Sequence, residues 1–296
     1  MRWLFLGFMF AFAIKAPLVP LHTWLPDAAE QSSPGGATMM VGVMDKIGTF
    51  GMIRFCLGLF PEASTWATPA VLVLATMSIL YGAILAIGSR DLMRFVAYTS
   101  ISHFGFIVLG IFAFTSQSLT GSTLYMLNHG LSTAALFLVA GYLIKRRGSR
   151  DIADFGGVAK VAPVLAGLML FAGLSTLSLP GLSSFVSEFM VLAGTFSRHP
   201  VYATISTLAI VLAALYILIM YQRTMTGPMP AAVQATVTTD LSGRERLALA
   251  PLVVLIVVLG VFPKPMLDVI EPAVQSAMQH VGVTDPQPKV SAEGGR

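Results

Sequence analysis

Residues 178–188 read SLPGLSSFVSE and interrupt an apolar run that extends from about residue 161 to residue 196. Pro180 lacks the backbone N–H of a regular helix and Gly181 loosens the helical ladder, so the sequence predicts a helix broken in two. Glu188 follows about two turns later, between apolar neighbours. In a bilayer, broken backbone persists only inside protein or along a cavity, and a carboxylate at that depth usually marks an ion or proton path.

The composition is that of a membrane protein. Of the 296 residues, 55% are hydrophobic and 11% are charged, whereas a soluble domain has about 25% charged residues. A single cysteine, Cys56, excludes disulfides, Cys-ligated clusters and C-x-x-C zinc sites within the chain. Nucleotide-binding glycine motifs and H-E-x-x-H are also absent from the sequence. We therefore expect no cofactor and no metal in this chain, and no nucleic-acid partner, because its basic residues lie in short loops between apolar runs.

A transmembrane span needs about 20 mainly apolar residues, and eight segments of the chain are predicted to be such spans, the last of them short. Residues 266–281, which follow a Pro-Lys-Pro sequence, predict an amphipathic helix. Residues 282–296 predict a disordered tail. The predicted spans are 1–22, 37–60, 69–88, 95–115, 122–144, 162–196 (broken), 201–222 and 247–262, and the apolar face of the amphipathic helix comprises Met266, Val269, Ile270, Val274, Ala277 and Met278.

Lysine and arginine are divided unevenly between the two ends of these spans. If residue 1 lies outside, ten basic loop residues fall on the inner side and five on the outer side. Because positive charge accumulates in cytoplasmic loops, both termini are predicted to lie outside. The ten inner residues are Arg90, Arg94, Lys145, Arg146, Arg147, Arg150, Lys160, Arg223, Arg244 and Arg246.

Four ionisable side chains from four different predicted spans fall at similar depth. At 1.5 Å per residue, Lys46, His103 and His129 lie roughly 10–14 Å into a hydrocarbon core of about 30 Å. Glu188 lies at comparable depth beyond the break. A buried lysine or carboxylate in a membrane is costly and is usually functional. This row therefore predicts a proton relay, with Lys46 as the central carrier and Glu188 as the terminal acceptor.

A structural role is the alternative for each histidine. A membrane histidine often only ties two helices together by a hydrogen bond. For His103 and His129 the candidate partners are Ser100, Ser102, Asn128 and Ser132.

A second break follows Lys15, at Pro17-Leu18-Val19-Pro20. The two breaks lie five spans apart, so their helices cross the membrane in opposite directions. Such pairs are typical of inverted-repeat transporters with an ion site near the midplane. Asp45 precedes Lys46, but adjacent helical residues point to different sides, so Asp45 is expected to face another partner. No role follows for it from the sequence.

Several motifs together resemble the antiporter-like subunits of respiratory complex I. They are AFAIKAPLVPLHTWLPDA at 11–28, DKIGTFGMIRF at 45–55, YTSISHFG at 98–105, NHGLS at 128–132 and LPG through EF at 179–189. The resemblance covers about residues 4–270 and is specific as a set.

The resemblance implies roles for the residues singled out above. Lys15 would be the lysine of the broken seventh helix, Lys46 the central lysine, and His103 and His129 the bridging groups. Glu188 would be the ionisable residue of the broken twelfth helix. A glutamate there is similar to the M branch, the fourth mitochondrially encoded homologue, whereas the L and N branches and the multisubunit cation/proton antiporters tend to have lysine.

The resemblance also implies the architecture. It predicts an all-α polytopic membrane protein with about eight transmembrane helices, two of them broken, as the remnant of an inverted five-helix repeat. Residues 1–60 would be the last two helices of the first unit, 69–222 the second unit, and 223–281 a C-terminal helix with an amphipathic segment. The family has about fourteen spans, so the first six helices, including the glutamate partner of Lys15, are expected to be missing. The family usually has an apolar residue in place of Asp45.

The implied function is proton translocation by a subunit of NADH–quinone oxidoreductase in the bacterial plasma membrane. The resemblance places NADH, FMN, iron–sulfur clusters and quinone in partner subunits, and the L and N subunits beside this chain. This chain itself is expected to have no redox site. Two alternatives stay open: a subunit of a multisubunit cation/proton antiporter, and a truncated scaffold that does not conduct.

Overall fold

A computed structural model describes residues 1–287, and every regular element in that range is helical. The prediction of an all-α membrane protein is confirmed. Residues 288–296 of the predicted tail lie outside the described residues. The α-helices are α1 (Arg2–Lys15), α2 (Trp24–Gln31), α3 (Pro34–Met39), α4 (Lys46–Gly51), α5 (Pro61–Gly88), α6 (Leu92–Phe112), α7 (Ser116–Arg147), α8 (Pro163–Thr176), α9 (Ser183–Arg198), α10 (Pro200–Met225), α11 (Ala231–Thr236), α12 (Gly243–Val261) and α13 (Lys264–Val281).

Four helices among residues 1–287 are each long and apolar enough to cross a membrane: α5, α6, α7 and α10. The pair α12 and α13, bent by 71°, raises the number to five when counted as one span. The remaining three of the eight predicted spans are interrupted, and their separate pieces are short. They are α1 with its break, the α3–α4 segment, and the pair α8 and α9.

Both predicted helix breaks are present. The first helix ends at Lys15 and helix α2 begins at Trp24, on either side of the proline-rich stretch. Helix α8 ends at Thr176 and α9 begins at Ser183. Proline ends a helix because it has no N–H and its ring clashes with the preceding turn. Local backbone chemistry therefore decides both breaks.

The segment from α3 to residue 57 contains two π-helical stretches, Met40–Met44 and Met52–Leu57. In these stretches the hydrogen bonds span five residues, as in the bond from the N–H of Asp45 to the carbonyl of Met40 (3.0 Å). A π turn widens the helix and changes the direction in which its side chains and carbonyls point. The first stretch lies directly before Lys46.

Helix α6 lies at the centre of the bundle, and nearly all its residues are buried. It packs against α5 with the two backbones almost touching. A Cβ added to Gly82 would lie 2.7 Å from the backbone nitrogen of Ser102, and one added to Gly105 would lie 2.8 Å from the carbonyl of Ala75. Small residues permit such close helix packing in membranes. This packing holds His103 deep in the bundle.

Helix α13 is the predicted amphipathic helix. It packs its Ile270, Val274 and Met278 inward. Val269, predicted on the same face, is 71% exposed, so that part of the prediction is wrong. The buried side chains recur every four residues and form a stripe too narrow to include Val269.

Charged residues at one end of the bundle fix the loop before α12. The Arg146 guanidinium bonds both carboxylate oxygens of Glu245, at 3.1 and 2.6 Å. The Asp240 carboxylate accepts hydrogen bonds from the backbone N–H groups of Val164 (2.7 Å) and Leu165 (3.0 Å), in the first turn of α8. Partial burial acts to raise the pKa of Asp240, but the backbone hydrogen bonds outweigh it and lower the pKa below its usual value.

Candidate functional site

Glu188 is 6% exposed and lies on α9, just after the second break. Its Oε2 accepts two hydrogen bonds, from the hydroxyl of Tyr125 (2.6 Å) and the hydroxyl of Ser178 (2.7 Å). Ser178 lies within the break and has a φ of +61°, a conformation that few residues other than glycine adopt. The broken helix therefore contributes both the acid and one of its donors.

Close packing of α7 against α9 explains why Tyr125 reaches Glu188. A Cβ on Gly121 would lie 2.8 Å from the backbone nitrogen of Val191. One turn after Tyr125, the side-chain amide of Asn128 donates to the carbonyl of Ser183 (2.7 Å). The close approach at Gly121 and the hydrogen bond from the Asn128 side chain hold the two helices in one register. The Tyr125–Glu188 contact depends on both.

The rings of His103 and His129 lie side by side in the bundle, with centroids 5.2 Å apart. The Tyr125 ring lies 5.9 Å from His103 and 6.4 Å from His129. Nε2 of His103 lies 3.4 Å from the hydroxyl of Tyr216, a long contact. Neither ring nitrogen of the buried His129 has a hydrogen-bond partner among residues 1–287. Within the described residues, His129 therefore does not tie two helices together by a hydrogen bond.

The four polar residues predicted as histidine partners do not bond to either ring, so that prediction is wrong. The hydroxyls of Ser100 and Ser132 donate to backbone carbonyls of their own helices. The Ser102 hydroxyl donates to the carbonyl of Ile79, and the Asn128 side-chain amide donates to the carbonyl of Ser183 on α9. Serine in a helix often satisfies itself on a carbonyl one turn earlier. These bonds use the serine hydroxyls that were expected to contact the imidazoles.

Lys46 is half-buried beside this pair of rings. Its ammonium lies 5.1 Å from the centre of the Phe104 ring, and that ring lies 5.2 Å from the ring of His129. Nζ also donates to the carbonyl of Val41 at 2.5 Å. Val41 belongs to the π stretch, which frees carbonyls for other partners. Lys46 is therefore held by its own distorted helix and by an aromatic face of α6.

A glycine crossing brings the Lys46 segment against α7. A Cβ on Gly130 would lie 2.7 Å from the carbonyl oxygen of Gly42 and 3.9 Å from Cε of Lys46. Only a residue without Cβ permits that approach. Gly130 follows His129 in the chain, so the crossing sets the distance between Lys46 and His129.

Lys15 lies apart from this row and forms an ion pair with Asp45 (2.9 Å). The expectation that Asp45 faces a partner other than Lys46 is confirmed. The Lys15 side chain is 32% exposed, whereas that of Asp45 is fully buried. Nζ of Lys15 also lies 5.5 Å from the centre of the Trp24 ring.

The structure thus brings Lys46, His129, His103 and Glu188 into one row across four helical segments, with Lys15 beyond one end. Sequence reasoning missed Tyr125, which stands between the histidines and Glu188. A signal was present, because Tyr125 and His129 are four residues apart and share a helix face. Nδ1 of His103 and both ring nitrogens of His129 have no hydrogen-bond partner among residues 1–287. Proton transfer along the row therefore requires bridging water or ring motion.

Among residues 1–287, no group of three or more His, Cys, Asp or Glu side chains is arranged to hold a metal ion. The titratable side chains of the site are two lysines, two carboxylates, two imidazoles and two buried phenols.

Comparison with known proteins finds a matching family model and similar proteins. A family model described as NADH:quinone oxidoreductase/Mrp antiporter, TM, matches residues 1–213. The chain is 59% identical over 288 residues to NADH-quinone oxidoreductase subunit M of Mycobacterium tuberculosis, covering 97% of this chain and 52% of that protein. The subunit M of Pseudomonas aeruginosa is 40% identical over 282 residues, covering 95% and 55%.

A chain in the structure of respiratory complex I from Thermus thermophilus with bound NADH has the same fold. It matches with a TM-score of 0.87 and 35% sequence identity, over 95% of this chain and 59% of that chain. The chain spans about half the length of the curated relatives it matches.

Proposed function

Because the chain belongs to the NADH:quinone oxidoreductase/Mrp antiporter family of membrane proteins, we propose that it conducts protons as a membrane subunit of an NADH–quinone oxidoreductase. The observation that carries the proposal is the buried row that runs from Lys46 through the paired histidines to Glu188. Relatives 59% and 40% identical to this chain are named subunit M of that enzyme. The resemblance seen in the sequence motifs is thereby confirmed at the level of the family.

In this proposal each residue of the row has one task. Lys46 loads a proton from the inner half of the membrane, and His129 and His103 pass it along. Tyr125 connects the histidines to Glu188, which releases the proton on the far side. Lys15 supplies protons at the end of the row opposite Glu188. Transfer at each step is electrostatically coupled, because a charge gained by one residue alters the proton affinity of the next.

The redox reaction belongs, in this proposal, to partner subunits that hold NADH, FMN, iron–sulfur clusters and quinone. The L and N subunits are the proposed neighbours in the membrane. The chain is proposed to reside in a bacterial plasma membrane with both termini outside, because the inner loops have the excess of lysine and arginine.

Substitution of Lys46 tests the proposal. Lys46→Ala is introduced into the chain in its native membrane, and NADH oxidation and vesicle acidification are measured together. Arg54→Ala is the matched control, because Arg54 is an exposed basic residue of the same helical segment. Acidification is expected to fall at least about tenfold in Lys46→Ala, since a positioned proton carrier contributes about 10²–10⁴-fold. Acidification at the wild-type rate in Lys46→Ala contradicts the proposal.

A cation/proton antiporter is the second candidate, since the matching family description includes the Mrp antiporters. The same vesicles distinguish the two functions. Proton flux that requires sodium and continues without NADH favours the antiporter. Flux that follows NADH oxidation and ignores sodium favours the oxidoreductase. Absence of any flux in the wild-type chain favours a scaffold that does not conduct.

A further inference from the structure

Asp45 is the one carboxylate in the described chain that lies beside Lys15, and it directly precedes Lys46 in the sequence. Its Oδ1 accepts a hydrogen bond from Nζ of Lys15 at 2.9 Å. Its Oδ2 is buried and has no hydrogen-bond partner among residues 1–287. A buried carboxylate oxygen without a donor is costly, and such exceptions in native proteins call for an explanation.

The packing around the first break keeps Asp45 and Lys15 together. Lys15 ends α1, and there the carbonyl groups at the end of a helix favour a positive charge. A Cβ on Gly48, one turn after Asp45, would lie 2.7 Å from the backbone nitrogen of Ala16. The indole of Trp24 donates to the carbonyl of Ile14 (2.9 Å) and thereby ties the two halves of the broken helix. The ion pair is therefore built into the fold and is not a chance contact of two flexible side chains.

The position of Asp45 connects two parts of the site that are otherwise separate. Lys46 turns its ammonium to the carbonyl of Val41 and to the Phe104 ring, on the side of the histidines. Lys15 contacts the preceding residue, Asp45, instead. Consecutive residues on this segment thus face the two ends of the path.

We propose that Asp45 passes protons between Lys15 and Lys46. In the first step an N–H bond of Lys15 breaks and an O–H bond forms on Oδ1, leaving a neutral amine and a neutral carboxylic acid. In the second step the acid gives a proton to the neutral amine of Lys46, which restores the carboxylate and yields an ammonium. No electrons change hands, and the net result is one proton moved from Lys15 to Lys46. Between the two steps the carboxyl group rotates about its Cβ–Cγ bond, so the protonated oxygen takes the place of the free Oδ2 and gives its proton from there.

This inference rests on the proposed function. The variants are chosen so that failure of the inference can be told apart from failure of the proposed function. Asp45→Asn keeps the shape of the side chain and an oxygen that accepts from Lys15, but the amide does not carry a proton. Asp45→Glu restores a carboxylate. Asp268→Asn is the control, because Asp268 forms an exposed ion pair with Lys264 on α13. Each variant is measured in native membranes as protons pumped per assembled complex during NADH oxidation.

Asp45→Asn is expected to lower pumping per assembled complex at least about fivefold, a conservative value for the loss of a positioned proton carrier. Asp45→Glu is expected to pump faster than Asp45→Asn, and Asp268→Asn to match wild type. Wild-type pumping by Asp45→Asn, or no recovery in Asp45→Glu, overturns the inference. If Lys46→Ala in the same membranes loses pumping while Asp45→Asn retains it, only the role of Asp45 fails. If Lys46→Ala also retains it, the proposed function fails.

Discussion

The two broken helices place their ionisable residues in contrasting surroundings. At the second break, Glu188 is 6% exposed and receives two short hydrogen bonds from uncharged hydroxyls. At the first break, Lys15 is 32% exposed and pairs with a charged group, Asp45. The Glu188 arrangement surrounds one buried carboxyl group with hydroxyl donors, whereas the Lys15 arrangement joins a half-exposed ammonium to a buried carboxylate. We call Glu188 and its donors the fixed end of the row, and the Lys15–Asp45 pair beyond the other end its adjustable end.

That contrast has an energetic basis. A buried acid with two donors is held tightly, because leaving those donors or the acid unpaired costs about 1–3 kcal/mol per group. In the Lys15–Asp45 pair the carboxylate is buried and the ammonium is half-exposed, so the cost of desolvating the charges offsets much of their attraction and the net contribution of the pair to stability is small. Changes near Glu188 should therefore affect both stability and proton transfer, and changes near Lys15 should affect chiefly proton transfer.

The largest effect is expected at the Gly42–Gly130 crossing, which joins the Lys46 segment to helix α7. Gly130→Val would force a side chain against the carbonyl of Gly42, 2.7 Å from the position of its Cβ. Overpacking of this kind costs about 1–3 kcal/mol, so the unfolding midpoint and the amount of assembled protein should both fall. Gly167→Val is the matched control, because no atom lies within 4 Å of the corresponding Cβ. Equal stability of the two variants would contradict the close crossing.

Substitution of His129, in the middle of the row, should reduce proton pumping without reducing stability. Both ring nitrogens of His129 lack partners among the described residues, so His129→Leu removes a proton carrier without breaking a hydrogen bond there. The unfolding midpoint should stay unchanged or rise. Proton pumping should fall at least about tenfold, near the lower limit for loss of a general acid–base group. A large loss of stability with pumping intact would reverse this assignment and make the histidine structural.

At the fixed end, Tyr125→Phe tests the donor to Glu188. Loss of the 2.6 Å hydrogen bond leaves Ser178 as the remaining donor to the carboxylate. We expect a loss of about 1–3 kcal/mol in unfolding free energy, the cost of leaving a buried polar group without a partner, and a severalfold loss of pumping. Tyr81→Phe, at an exposed tyrosine, is the control. Wild-type values for both quantities in Tyr125→Phe would show that the phenol is dispensable.

The smallest effect is expected outside the row, at Asp240. Its pKa is lowered in the folded chain, so its contribution to stability is complete above the usual aspartate pKa of about 3.9 and is lost as the pH falls through the folded value. Asp240→Asn should therefore lower the unfolding midpoint near pH 7 by the equivalent of about 0.5–2 kcal/mol, as for a lost helix cap. The difference from wild type should vanish in strong acid, and pumping should be unchanged. A stability difference that grows as the pH falls would contradict this account.

Local chemistry made part of this architecture predictable from sequence. Both helix breaks follow from prolines, and counting residues along apolar segments was enough to single out Lys46, His103, His129 and Glu188, whose depth in the membrane stays a prediction. The family motifs were sufficient to identify the relatives. The division into inverted units and the orientation in the membrane stay predictions.

Other features depend on how helices pack, and sequence reasoning did not reach them. The π stretch before Lys46 redirects its side chain to Val41, and a helical wheel does not include such a turn. The serines expected beside the histidines bond their own or neighbouring carbonyls instead. Tyr125 contacts Glu188 only because α7 and α9 approach at Gly121. Rotation and register between helices set these contacts, and neither is a property of a single segment.

The central claim, that the buried row conducts protons, is tested most directly at Glu188. Glu188→Gln keeps the shape of the side chain and removes its titration, and Glu62→Gln alters an exposed glutamate of α5 as the control. NADH-driven acidification is measured in native membrane vesicles, normalised to assembled complex. The account predicts a loss of at least about tenfold in Glu188→Gln and wild-type rates in Glu62→Gln. Equal acidification by the two variants would contradict it.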